Sequence, residues 1–82
     1  MNTVMHDAPL VTISILSYSE KREVIGAAIR SAALQRYRAL ELVVVDNGSP
    51  DGEHELRETE LKKAAEERKQ KLQLPLETRF IK

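Results

Sequence analysis

The sequence contains no cysteine. Disulfides, thiolate metal sites and a cysteine nucleophile are therefore excluded, although the absence does not fix a compartment. Charge of one sign is also missing, because 13 Lys and Arg balance 13 Asp and Glu. No global field draws nucleic acid or anionic lipid. No apolar run approaches the roughly 20 residues that a membrane span requires. The opening MNTVMHDAPL carries acidic and polar residues where a secretory leader has a basic and then an apolar stretch. A cytoplasmic location without a transmembrane segment is the expectation. Repeats and low-complexity tracts are lacking as well. At 82 residues the chain is one domain or less. A chain this short buries only about 60% of its unfolded surface, so its core is expected to be marginal.

The most informative stretch is LELVVVDNGSPDG, from Leu40 to Gly52. Leu42-Val43-Val44-Val45 is continuously apolar and mostly β-branched, the pattern of a strand buried on both faces in a parallel sheet. It stops at Asp46-Asn47-Gly48-Ser49-Pro50-Asp51-Gly52, where Asn-Gly, Ser-Pro and Asp-Gly are each turn formers. Two readings of Asp46 compete. It is the first residue of an ordinary Asp-rich turn, or it lies at the carboxyl end of a buried strand, where open α/β sheets bind ligands.

Residues 1–9 read as a flexible arm, since Pro9 disfavours helix before it. Leu10 to Leu16 alternates Val11, Ile13 and Ile15 with Thr12 and Ser14, a strand pattern. Ser14 would need a partner if its hydroxyl is buried. Ser19 is the expected N-cap of a helix over Glu20 to Gln35. In that helix Val24, Ile25, Ala28, Ile29 and Ala32 form an apolar face. Glu20 and Glu23 lie near the positive end of its dipole, and Arg30 and Arg36 near the other. Tyr37 reads as a packing residue.

Glu53 to Leu72 is helix-forming and heavily charged, with Leu56, Leu61, Ala64, Ala65 and Leu72 as a thin apolar stripe. Glu58 with Lys62 and Glu67 with Lys71 are favourable i,i+4 pairs. The mixed charge reads as a solvated face, with a partner-binding surface as the rival. Leu74-Pro75-Leu76 ends the helix. ETRFIK, from Glu77 to Lys82, is a third strand with Phe80 and Ile81 as its core candidates. His6 and His54, far apart and beside acidic residues, read as surface histidines. Asp46 and Asp51 make a poor metal pair.

The order is strand, helix, strand, helix, strand. This is an α/β chain, a βαβαβ half-Rossmann unit whose parallel strands order 3-2-1. Ser17-Tyr18-Ser19-Glu20 and Asp46 to Gly52 then meet at the carboxyl ends of the strands.

The stretch Leu10 to Glu20, LVTISILSYSE, resembles the opening strand of inverting family 2 glycosyltransferases, V-S-I-I-I-P-x-Y-N-E. Val43 to Gly52, VVVDNGSPDG, is similar to their V-V-D-D/N-G-S-x-D-G signature. Ala28 to Gln35 is similar to their A-I-x-S-V-L-x-Q segment. The resemblance covers Leu10 to Gly52; beyond Glu53 only the position of the helix agrees.

The resemblance implies a partial GT-A fold over residues 10–82. It also implies a nucleotide-sugar donor carrying uridine, guanosine or thymidine diphosphate, and a divalent metal (Mg or Mn). Ser17, Tyr18, Glu20 and Asp46 are the nucleotide-binding candidates. Asp46 can accept from a base N–H, and Tyr18 offers a flat face for stacking. For Ser17 a turn hydroxyl is the rival role, and for Glu20 a helix-dipole residue. Leu16 replaces the family's proline and Ser19 its asparagine. No residue here matches the family's D-x-D metal site or its catalytic base, so no catalytic or metal-binding residue is assigned. The expectation is the nucleotide-sugar-binding part of an inverting glycosyl transfer enzyme, incomplete and inactive alone, and prone to self-association or to pairing with a missing C-terminal half. The alternative is a non-catalytic interaction module using the charged helix 53–72.

Overall fold

The computed structural model describes residues 9–18, 21–47 and 53–82. Five elements follow in order: β1 (Val11–Ser17), α1 (Arg22–Ala33), β2 (Leu40–Asp46), α2 (Glu53–Leu72) and β3 (Glu77–Ile81). The three strands form one parallel sheet with β2 in the centre. This is the expected α/β half-Rossmann unit with its expected strand order.

The register explains the core. Ile13 lies opposite Leu42 and Ile15 opposite Val44, and Val44 in turn lies opposite Phe80. Side chains alternate across a strand, so these residues share one face. Ile25, Ile29 and Ala33 of α1 and Leu61 and Ala64 of α2 pack on that face. Two crossovers that advance in the same direction place both helices on one side of the sheet. Ile29, Leu42 and Val44 are fully buried, each contributing about 1.5–3 kcal/mol by area. The other face carries Ser14, Leu16, Val43, Val45, Arg79 and Ile81. Leu16 is exposed there, and the Ser14 hydroxyl needs no buried partner because Ser14 is exposed too.

Several expectations are corrected. The N-cap of α1 is Lys21, with no side-chain capping bond. Its carbonyl accepts from Val24 and Ile25, which starts the helix later than expected; Ser19 and Glu20 lie outside the described residues. Val24 and Ala28 are exposed, because the face turned to the sheet is Ile25, Ile29 and Ala33, stepping by four. In β3 Phe80 packs on the core, whereas Ile81 is exposed, since its register puts it on the opposite face beside Val45. Residues 1–8, with His6, also lie outside the described residues.

The largest correction concerns α2. Its buried side is Arg57, Leu61, Ala64 and Arg68, so the charge run is not wholly a solvated face. Arg68 is fully buried. Its Nε donates to the carbonyl of Pro75 at 2.9 Å and its Nη1 to that of Ala33 at 3.0 Å. Nη1 also donates to the carbonyl of Gln35, and Nη2 to that of Tyr37 at 2.5 Å. Burial pushes the guanidinium's pKa down, yet arginine stays charged in proteins. One planar fork thus satisfies carbonyls at the end of α1, in the connection to β2 and just before β3, where the helix dipole is negative. Of the two expected i,i+4 pairs, Glu67–Lys71 closes at 2.8 Å. Tyr37 is half-buried and donates its hydroxyl to the carbonyl of Pro9 at 2.5 Å.

Candidate functional site

The carboxyl ends of β1 and β2 lie side by side, with Ser17 in register with Asp46. The amide of Asn47 donates to the carbonyl of Ser17 at 2.7 Å, extending the pairing one residue past β2. Both side chains are buried, Ser17 fully and Asp46 with 1% of its surface exposed. Among the described residues the Ser17 hydroxyl finds no hydrogen-bond partner. A buried polar group that nothing meets costs about 1–3 kcal/mol, and this hydroxyl stands beside a carboxylate. Tyr18, the next residue, is half exposed. Of the four candidates, the structure brings together Ser17, Tyr18 and Asp46; Glu20 and Asp51 lie outside the described residues, as does the turn 48–52.

The first turns of α2 supply what sequence reasoning missed. His54 Nδ1 lies 2.7 Å from Asp46 Oδ2. A carboxylate only accepts, so the imidazole donates. Arg57 Nε lies 3.8 Å from Asp46 Oδ1, an ion pair between two side chains that are 2% and 0% exposed. Glu53 stands 4.0 Å from the same guanidinium. His54 is therefore not a plain surface histidine. The spacing of His54 and Arg57, one helical turn apart, was the available signal; it became informative only once the helix start was placed against the end of β2.

A second feature lies elsewhere. A groove of about 610 Å³ runs between the C-terminal half of α2 and the segment before β3, lined by Lys62, Ala65, Lys69, Leu74 and Leu76 among others. It contains none of the strand-end residues, and neither Ser17 nor Asp46 opens into it.

A family model for glycosyl transferase family 2 matches residues 12–74 of the 82-residue chain. The chain belongs to that family. The match runs past Gly52 and through α2, further than the motif resemblance reached. Neither the curated proteins nor the solved structures contain a match to the chain.

The divalent metal that the family resemblance implies does not fit the side chains described here. Among the described residues no group of three or more His, Asp or Glu converges on one point, and Asp46 is held by His54 and Arg57. Nor, among the described residues, is any helix long and apolar enough to cross a membrane.

Proposed function

We propose that the carboxyl end of this sheet binds the nucleotide part of a nucleotide-sugar donor for glycosyl transfer. The observation that carries the reading is the pairing of buried Ser17 with buried Asp46 at adjacent strand ends. There the carboxylate can accept a base N–H, the buried Ser17 hydroxyl can meet a polar ligand group, and half-exposed Tyr18 presents an aromatic face. Ligands of open α/β sheets enter at this end, and membership of the family supports the class of donor.

The rival reading, α2 as a free interaction surface, is weaker. The helix spends Arg57, Leu61, Ala64 and Arg68 on the domain's own interior, and it lies within the family match.

The test is titration of the 82-residue chain with UDP, GDP and dTDP, following the amides of Ser17 and Asn47 by NMR. Binding near millimolar is expected, a free energy of about −4 kcal/mol. Asp46→Asn should weaken it about tenfold or more, the worth of a charge-assisted hydrogen bond. Absence of binding to a folded sample, or equal binding by Asp46→Asn, overturns the reading.

A further inference from the structure

His54 and Asp46 form a pair of unequal exposure: the His54 side chain is 27% exposed and that of Asp46 0%. The 2.7 Å contact runs from Nδ1 to Oδ2. Because the carboxylate only accepts, the proton sits on Nδ1 and a neutral ring keeps its lone pair on Nε2. Free neutral histidine favours the other tautomer, so the bond to Asp46 sets the ring's protonation pattern. The same bond acts in the opposite direction. A carboxylate on a short side chain turns about one bond, and a donor fixed to one oxygen fixes the direction of the other. Arg57 Nε stands 3.8 Å from Oδ1 and compensates the charge.

We propose that His54 is a positioning residue for the nucleotide site: its Nδ1–H aims the carboxylate of Asp46 at the base. This rests on the nucleotide reading given above. His54 touches Asp46 and is assigned no contact with the ligand. It sits on the second residue of a 20-residue helix, so its aim is set by a rigid element rather than by a loop.

The experiment compares the parent with His54→Ala, His54→Asn and His54→Gln, each checked for folding by thermal melt. UDP, GDP and dTDP are titrated by NMR, and the imidazole nitrogen spectrum of the parent is recorded. The parent should show the Nδ1–H tautomer and lose that signature in Asp46→Ala. His54→Ala should weaken nucleotide binding about tenfold. His54→Asn places an amide N–H near the former Nδ1–H and should recover most of the loss. His54→Gln carries its amide one methylene further and should not. Binding by the parent that is unchanged in His54→Ala overturns the positioning role and leaves the nucleotide site standing. Equal binding by the Asn and Gln variants does the same, and decides the matter if His54→Ala fails to fold. No binding of any of the three nucleotides by the folded parent overturns the nucleotide site, and the positioning role with it.

Discussion

Arg68 and Ala33 are 35 residues apart in sequence, yet a guanidinium N–H of the first donates to the carbonyl of the second at 3.0 Å inside the fold. The contact joins α2 to the end of α1. Through the same side chain it also ties in the connection that leads into β2 and the segment just before β3. A small domain with a thin core gains its inter-element order here from one polar side chain as well as from apolar packing.

Arg68→Ala should therefore be the most damaging single change away from the strand ends. It strands four carbonyls, those of Ala33, Gln35, Tyr37 and Pro75. Each stranded group costs about 1–3 kcal/mol where water cannot replace the donor. Total stability is expected at about 0.05–0.15 kcal/mol per residue, so the variant should be largely unfolded by circular dichroism. Arg68→Lys should recover little, because an ammonium lacks the planar fork. An unchanged urea midpoint in either variant would refute the role.

Glu67 should make stability depend on acid. Its carboxyl is lowered from an ordinary 4.5 to about 2, first by the hydrogen bond from Arg30, then by that from Lys71. The two bonds from Arg30 measure 2.8 and 2.6 Å. A folded-state value below the unfolded one means that the unfolded chain takes up the proton first. The stabilisation is present above about 4.5 and is lost as the pH falls towards 2. Melting temperature should drop across that window in the parent and less steeply in Glu67→Gln. Salt should narrow the difference, since the cluster lies at the surface. Parallel profiles for the two proteins would contradict this.

Gln73 closes α2 with φ at 56°, in the left-handed region, while its amide donates to the carbonyl of Lys69 at 3.0 Å. A side chain in that conformation costs about 1 kcal/mol, and glycine avoids the cost. Gln73→Gly should raise stability by about 0.5 kcal/mol after the added freedom of the unfolded chain is counted. A lower midpoint in urea would show that the position is not a strained helix end.

The sequence by itself determined the order of elements, the parallel sheet, the central strand and the aspartate at its end. Hydrophobic period is local: Val11, Ile13 and Ile15 alternate, Leu42 to Val45 run unbroken, and Ile25 and Ile29 repeat at helical spacing. It also displayed Ser17 and Asp46, because motif spacing survives without coordinates. Only the tertiary structure decided that Arg57 and Arg68 are buried, and that His54 binds Asp46 rather than water. A charged residue on a helix reads as solvated until something across the fold needs its donors. Here those needs arise from the end of α1, the connection to β2 and the end of β2, all remote in sequence from the side chains that meet them. The burial of an arginine is set by its partners, and partnership over 35 residues leaves no periodic trace along the chain.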